Sequence, residues 1–284
     1  MRLLSRCLFV TLSLLLLSAP VVVSGQAAPV AGIKLGERFA LQFSKSPPQG
    51  AAEQLKMRLH SAEIPGAYDV TKETYEVLVP PAYKKTEPHG LFIWISAGND
   101  VKIAKEWEAV LAEKKVIFIG AKNSGNNRDI FDRFRLAIDA NLNMRELFNI
   151  DGRRVYVSGF SGGSRVASML GVTYGEMFSG TVAFMGVNFY TDITAPDNKV
   201  YGLNYIPDDE VLAMAKKACR YALVTGEKDF NRPNTYGVFA DGFRKEGFAG
   251  IKLFDVPGQG HAPPSADWLK KALDFLDEGK VGVR

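Results

Sequence analysis

Apolar runs of strand length alternate with amphipathic segments through most of the chain. These runs are GLFIWIS at 90–96, VIFIG at 116–120, RVYVSG at 154–159, GTVAFMG at 180–186, RYALVTG at 220–226 and IKLFDVPG at 251–258. Short apolar strands that alternate with helices are typical of a mostly parallel sheet with right-handed crossovers. The pattern therefore predicts an α/β fold, with a mostly parallel central sheet and helices on both of its faces.

The segments between the apolar runs have the 3.6-residue periodicity of helices. They lie at 100–115, 129–149, 164–175, near 208–218, near 234–247 and at 265–279. In the first of them Val101 and Trp107 fall on one helical face, which predicts a helix that includes both residues.

The segment ahead of these elements is patterned less clearly. TYEVLVPPAY at 74–83 alternates between polar and apolar residues and is stopped by two prolines, which predicts an edge strand. We interpret 26–66, with a short helical stretch at 53–60, as an N-terminal lead-in. The chain without its first 25 residues, about 255 residues long, can build a single core, and residues 67–284 are expected to form one catalytic domain.

The first 25 residues have the order of charge, apolar run and small residues that is typical of a secretory signal peptide. Arg2 and Arg6 precede the apolar run 8–17, and small residues around 24–28 offer cleavage sites. An uncleaved signal anchor is the alternative. The chain is therefore expected to be secreted or periplasmic, with no membrane span after the signal is removed.

Charge and cysteine content limit the classes of partner and site that the chain could have. Without Arg2 and Arg6 the chain has 33 Lys and Arg against 31 Asp and Glu, a net charge of +2, which gives no case for binding nucleic acid. Of the two cysteines Cys7 leaves with the signal, so Cys219 has no disulfide partner and is expected to be a buried or half-buried structural thiol rather than a nucleophile. Cysteine and histidine show no metal-ligand spacing, and we expect neither a metal nor a cofactor.

Residues just after the strands are the candidates for chemistry, because sites in such sheets lie beyond the carboxyl ends of the strands. After RVYVSG comes Ser161, within Gly159-Phe160-Ser161-Gly162-Gly163. A sharp turn from strand to helix strains the serine and leaves no room for side chains two residues before and after it. We interpret Ser161 as a nucleophile; a serine that only caps the helix is the alternative.

Two further strands end near an acid and a histidine. Asp229 follows YALVTG and His261 follows IKLFDVPG, so the order along the chain is nucleophile, acid, base. A serine hydroxyl needs an imidazole to take its proton, and the imidazole needs a carboxylate to hold its tautomer. Asp229 is the expected acid. The other acids near these strand ends are Glu227, Asp192 and Asp255, the last of them placed inside its strand.

Other loops at the same edge are expected to supply the oxyanion site. One donor is the backbone N–H of Gly162, and the second is the backbone of Ala97 or Gly98, in ISAGND after the strand at 90–96. Small residues that merely make a tight turn are the alternative for this loop.

A substrate pocket is expected beside the serine. Phe160 adjoins Ser161, and the insertion at 187–207 brings Phe189 and Tyr190 as apolar walls, although an ordinary surface loop would have the same composition. Asn123, or Asn126 in the same loop KNSGNNRD, is expected to contact substrate unless these residues only form turns.

From about 74 to 278 the chain resembles the α/β-hydrolases. TYEVLVPPAY, FNIDGRRVYVSGFSGGSRVAS at 148–168 and GQGH at 258–261 are similar to exported esterases grouped with poly(3-hydroxybutyrate) depolymerases and with feruloyl and acetylxylan esterases. The resemblance implies carboxylic-ester hydrolysis through an acyl-enzyme, with Ser161, His261 and Asp229 as the triad.

The chain departs from that branch in three places. SAGND stands where the branch usually has a His-Gly pair, the glycine run after the serine ends in Ser164, and the disulfides common in the branch are absent. The expected function is thus a secreted serine hydrolase of small or medium carboxylic esters. A peptidase or acyltransferase with the same triad, and a binding protein that kept only the fold, are the alternatives.

Overall fold

The structure is a computed structural model that describes residues 33–278 of the 284-residue chain. The predicted signal peptide, residues 1–25, and Cys7 within it lie outside the described residues. Between residues 33 and 278, no helix combines the length and apolar character that crossing a membrane requires.

An eight-stranded sheet forms the centre of the molecule, with the strand order β1-β2-β4-β3-β5-β6-β9-β10. Strand β2 is antiparallel to both of its neighbours, and every other pairing in this sheet is parallel. The prediction of a mostly parallel sheet is confirmed. Its strands are β1 Arg38–Leu41, β2 Tyr75–Leu78, β3 His89–Ile95, β4 Val116–Ala121, β5 Ile150–Phe160, β6 Gly180–Phe184, β9 Arg220–Gly226 and β10 Gly250–Val256, and β7 Ile193–Thr194 pairs with β8 Val200–Tyr201 in a separate hairpin.

Helices cover both faces of the sheet, as the alternating pattern predicts. Successive side chains of β3 enter different core clusters: Ile93 packs with residues of α3 and α4, and Phe92 with residues of α2 and α7. The helices are α1 Ala52–Arg58, α2 Lys105–Glu113, α3 Ile130–Leu147, α4 Gly162–Thr173, α5 Asp209–Ala218, α6 Arg232–Gly237, which continues as a π-helix over Val238–Arg244, and α7 Ala266–Asp277.

The edge-strand prediction for 74–83 is wrong. Strand β2 lies between β4 and β1, and β1 comes from the segment interpreted as a lead-in. Arg38 in β1 forms ion pairs with Glu76 of β2 and with Glu108 of α2, which ties this strand to the rest of the domain. The lead-in therefore contributes the outermost strand of the sheet.

Helix α2 begins at Lys105, so the prediction that the helix includes Val101 is wrong. Val101 is nevertheless buried, because it packs against Gly120 of β4: a Cβ built on Gly120 would lie 2.6 Å from a methyl carbon of Val101. Val101 thus packs on the sheet from the loop that precedes α2.

Cys219 is buried in the core, as the sequence analysis expected. Its thiol donates weak hydrogen bonds to the carbonyl oxygens of Gly175 and Phe178, at 3.4 Å each. Burial raises the pKa of the thiol to about 12, so it stays protonated and unreactive at neutral pH.

A buried carboxyl group in α3 makes stability depend on pH. Asp139 is fully buried and accepts a 2.6 Å hydrogen bond from the hydroxyl of Tyr68. Burial raises the pKa of Asp139 to about 6, whereas the pKa of an aspartate in the unfolded chain is about 4. Between these values the native state holds a proton that the unfolded state has lost, so the free energy of unfolding falls as the pH rises from about 4 to 6.

Asp139→Asn should remove this pH-dependent cost, because the amide stays neutral and can still accept the bond from Tyr68. We expect the variant to be more stable than wild type at pH 8, by on the order of 2 kcal/mol, with the gap closing toward pH 4. Urea unfolding at both pH values measures this. A variant that is less stable than wild type at pH 8 would contradict it.

Candidate active site

Ser161 occupies a sharp turn between the end of β5 and the start of α4. Its backbone has φ 54° and ψ −118°, a conformation that side-chain-bearing residues rarely adopt. The turn is held by a 2.8 Å hydrogen bond from the Ser161 amide to the carbonyl of Phe184, and by the Ser164 hydroxyl, which donates to the Ser161 carbonyl. Strain of this kind persists only where the surroundings enforce it.

The glycines on either side of Ser161 permit close contact between main chains. A Cβ on Gly159 would lie 2.4 Å from the carbonyl carbon of Gly163, and one on Gly163 would lie 1.9 Å from the carbonyl oxygen of Ile95 in β3. The expectation that positions 159 and 163 must lack side chains is confirmed. Gly162 also has no room for a side chain, because a Cβ built there would lie 2.0 Å from Oδ1 of Asn126.

Gly163→Ala should destabilise the fold strongly, because the new methyl group would meet backbone atoms of Ile95 that no rotamer change can move. We expect a loss of about 3 kcal/mol or more in the free energy of unfolding. Gly66→Ala is the matched control, since no atom lies within 4 Å of a Cβ built there, and it should change stability by at most about 0.5 kcal/mol. Equal losses in urea unfolding of the two variants would refute this explanation.

The structure brings the three predicted side chains into one hydrogen-bonded series. Nε2 of His261 lies 2.9 Å from Oγ of Ser161, and Nδ1 of His261 lies 2.8 Å from Oδ1 of Asp229. Ser161 follows β5, Asp229 follows β9 and His261 follows β10, so the three residues meet at the carboxyl ends of parallel strands of one sheet. The imidazole is partly exposed, whereas the carboxylate is buried completely.

The carboxylate determines which nitrogen of the imidazole carries a proton. An ionised carboxylate only accepts hydrogen bonds, so Nδ1 of His261 donates to Asp229 and Nε2 of the neutral ring accepts from Ser161. Oδ1 of Asp229 also accepts from the amide of Asn231 at 3.0 Å. The side chain of Asn231 is bonded in turn to Arg165 of α4, at 3.0 Å, which anchors the loop to the serine's own helix.

The other acids considered from the sequence are bonded elsewhere. Asp255 lies within β10 and pairs with Arg232, and Glu227 accepts a hydrogen bond from the amide of Gly258. Asp192 accepts a 2.9 Å bond from the amide of Leu203, inside the insertion. Asp229 is the acid that the structure places against His261.

Two phenyl rings flank His261. The ring centroid of Phe160 lies 4.9 Å from that of the imidazole, and the ring of Phe230 lies 4.2 Å from it. Phe230 was missed in the sequence analysis, although it directly follows Asp229. It is 71% exposed, so it offers an apolar surface at the mouth of the site.

The loop after β3 lies directly against the serine turn. A Cβ on Gly163 would be 3.1 Å from the carbonyl carbon of Ser96, the residue before Ala97. Within residues 33–278 the amide N–H groups of Gly162, Ala97 and Gly98 donate to no other group of the protein. These are the three amides that the sequence analysis predicts as oxyanion donors.

Phe160, whose ring lies against that of His261, also borders an open cleft of about 240 Å³. The cleft is lined by Trp94, Ser96, Ala97, Gly98, Asn99, Asp100, Lys102, Phe160 and Pro263. Its walls therefore combine the aromatic ring next to Ser161 with the main chain of the loop after β3.

The structure does not support the other predicted pocket walls. Phe189 is 2% exposed and packs against Phe243 at 4.8 Å between ring centroids, and the hydroxyl of Tyr190 is bonded to Glu246. Both are used for packing, because the insertion folds back on the core. Asn123 is exposed and its backbone is in a left-handed conformation. Its backbone N–H donates a hydrogen bond to the carbonyl of Asn99.

Solved structures share this architecture, whereas no family model and no curated protein matches the chain. Est1E from Butyrivibrio proteoclasticus is 15% identical with a TM-score of 0.52, and the match covers 74% of this chain and 94% of that one. S-formylglutathione hydrolase from Staphylococcus aureus is 11% identical with a TM-score of 0.53, over 87% and 98% of the two chains. A protein from Bacteroides ovatus described as a dipeptidyl aminopeptidase IV is 15% identical with a TM-score of 0.55, over 89% of this chain and 37% of that one.

Structural matches at identities this low establish the fold and nothing more. The chain has the α/β-hydrolase fold, and the fold prediction is confirmed.

Proposed function

We propose that this chain, with its α/β-hydrolase fold, is a serine hydrolase that cleaves carboxylic esters through an acyl-enzyme. The observation that supports this most strongly is the series from Ser161 through His261 to Asp229, with 2.9 Å and 2.8 Å between the bonded atoms. A strained serine within hydrogen-bond reach of an imidazole, itself oriented by a buried carboxylate, is the arrangement that activates a hydroxyl group.

The first half of the proposed reaction forms the acyl-enzyme. Oγ of Ser161 attacks the ester carbonyl carbon while its proton passes to Nε2 of His261. The carbonyl oxygen becomes an oxyanion that accepts hydrogen bonds from the N–H groups of Gly162 and of Ala97 or Gly98. Collapse of the tetrahedral intermediate breaks the bond to the alkoxy oxygen, which takes the proton from Nε2 and leaves as the alcohol.

Water completes the cycle in the second half. It attacks the acyl carbon as Nε2 of His261 removes a proton, and a second tetrahedral intermediate forms at the same oxyanion site. Its collapse expels Oγ of Ser161, which recovers the proton, and the carboxylic acid leaves. An alcohol in place of water would make the reaction an acyl transfer.

The substrates we propose are small or medium esters with an apolar acyl or alcohol group. Phe160 and the exposed ring of Phe230 supply apolar surface on either side of His261, and the adjacent cleft of about 240 Å³ is open to solvent. Est1E, one of the structures with this fold, has been solved with ferulic acid bound.

Peptide-bond cleavage is the second candidate. It is favoured by the likeness to the Bacteroides protein described as a dipeptidyl aminopeptidase IV, of which this chain spans 37%. Comparing a p-nitrophenyl ester with a peptide p-nitroanilide separates the two functions. We expect kcat/KM to be far higher for the ester, and the reverse order would make the peptidase the better proposal.

We also propose export, on the basis of residues 1–25. Mass spectrometry of the protein made in its own cells should find a mature N-terminus near residue 26 in the periplasm or medium. A cytoplasmic protein that retains Met1 would overturn this.

The test of the function is hydrolysis of p-nitrophenyl acetate and butyrate, together with labelling by a fluorophosphonate. Turnover by wild type, with the label mapped to Ser161 by mass spectrometry and both lost in Ser161→Ala, is the expected result. A folded wild type that neither turns over nor takes the label would refute the proposal, and the non-catalytic binding protein would replace it.

A further inference from the structure

Arg133 of α3 is a buried cation. It is 5% exposed, and within residues 33–278 it forms no ion pair with a carboxylate. Arg135, two residues further on, is buried to the same degree but pairs with Asp132 at 3.3 Å. Burying a charge without a counterion is costly, and desolvation lowers the pKa of Arg133 to about 10. Burial of Arg133 is therefore expected to cost stability rather than to add to it.

The guanidinium of Arg133 reaches the loop after β3. Its NH2 group donates a 3.0 Å hydrogen bond to the carbonyl oxygen of Ser96, and its Nε is buried without a hydrogen-bond partner among the described residues. The carbonyl of Ser96 and the N–H of Ala97 belong to one planar trans peptide, so they point in opposite directions. Holding the carbonyl toward Arg133 therefore turns the N–H of Ala97 away from it.

Three other carbonyl groups of this loop also accept hydrogen bonds. The carbonyl of Ala97 accepts from the amide of Asn126 at 3.0 Å, that of Asn99 from the amide of Asn123 at 2.8 Å, and that of Asp100 from the Ser96 hydroxyl at 2.6 Å. Within residues 33–278, the carbonyls of Ser96, Ala97, Asn99 and Asp100 thus accept hydrogen bonds from the protein, whereas the N–H groups of Ala97 and Gly98 donate none. A run of free amides is suited to an anion.

We propose that Arg133 is a positioning residue for the oxyanion site of the function proposed above, on which this inference rests. It fixes the Ser96–Ala97 peptide so that the N–H of Ala97 faces the oxygen that becomes negative when Ser161 attacks. Its own charge, which no carboxylate in the described chain neutralises, adds a favourable potential at that oxygen.

Arg133→Met and Arg135→Met are the matched pair that tests this. Both remove a buried guanidinium from α3, but Arg135 is bonded to the carbonyls of Gly50 and Gly66, on the N-terminal segment. We expect Arg133→Met to lower kcat for p-nitrophenyl butyrate by about 10- to 100-fold with KM changed less than about threefold, because the lost interaction forms mainly in the transition state. Arg135→Met should keep kcat within about threefold while losing thermal stability.

A trifluoromethyl ketone supplies a second readout, because its adduct with Ser161 carries an oxyanion. Its Ki should rise in Arg133→Met by about the same factor as kcat falls. Arg133→Lys, which keeps a charge and a donor, should recover part of both losses. If Arg133→Met does not fold, the neutral variant Arg133→Gln takes its place in the test. We expect the kcat of Arg133→Gln to be about tenfold below that of wild type.

The outcomes separate the two proposals. A wild type without turnover or fluorophosphonate label would overturn the hydrolase function and this inference with it. A wild type that turns over normally, while the folded Arg133 variants keep full kcat and full affinity for the ketone, would overturn the role of Arg133 alone. Equal losses of kcat in Arg133→Met and Arg135→Met would likewise overturn the role of Arg133 alone.

Discussion

Replacing His261 with alanine is expected to lower kcat for p-nitrophenyl butyrate by roughly 10⁴- to 10⁶-fold, with little change in KM. Without the imidazole, whose Nε2 lies 2.9 Å from Oγ, nothing takes the proton of Ser161 as it attacks, and nothing returns a proton to the leaving alcohol. The residual rate should reflect only substrate binding and the oxyanion donors.

Combining this change with Ser161→Ala gives the sharper form of the prediction. If the two side chains act as one unit, the double variant should be about as slow as either single variant. His60→Ala is the matched control, because His60 is exposed and its ring is bonded to the carbonyl of Ile206. Multiplicative losses in the double variant, or a large loss in His60→Ala, would contradict the proposed pairing of Ser161 with His261.

Asp229→Asn is expected to lower kcat by about 10⁴-fold while leaving the fold intact. The amide has nearly the shape of the carboxylate, but its NH2 group would donate to Nδ1 of His261 and shift the ring proton to Nε2. Nε2 would then donate to Ser161 instead of accepting from it, and the serine would lose its base.

Asp192→Asn is the control for this substitution. Asp192 is an alternative acid in the sequence, yet it accepts a bond from the amide of Leu203 in the insertion. It should keep kcat within about threefold. A larger loss in Asp192→Asn than in Asp229→Asn, measured with the same ester under saturating conditions, would assign the acid to Asp192 instead.

The elements that could be predicted from the sequence are those whose signal is local. The strand at 154–159, the glycines around Ser161 and the following helix are contiguous in the chain, so their pattern predicts the turn before its contacts with distant residues are known. The order of Ser161, Asp229 and His261 could be predicted because parallel strands bring their carboxyl ends to one edge.

The elements that were missed depend on contacts between distant segments. Strand β1 is only four residues long and pairs with residues 75–78, which no local pattern reveals. Phe189 fits a pocket wall or a core position equally well until its packing against Phe243 is seen.

Arg133 is a harder case of the same kind. It lies two residues from Arg135 on one helix, and both have the sequence appearance of solvent-facing residues. What distinguishes them is the partner each meets across the fold: the Ser96 carbonyl in one case, and Asp132 with two carbonyls of the N-terminal segment in the other. Periodicity indicates which face of a helix is apolar, but not which charge it will bury.

The buried thiol of Cys219 has a practical consequence for anyone producing this protein. Residues 33–278 hold no other cysteine, so this part of the chain needs no oxidant and no disulfide isomerase to reach its native state. The reducing cytoplasm of an expression host should therefore yield the same folded domain as an oxidising compartment. Because the thiol of Cys219 is buried, a cysteine introduced at a chosen surface position of residues 33–278 could be labelled selectively with a fluorophore or a spin label.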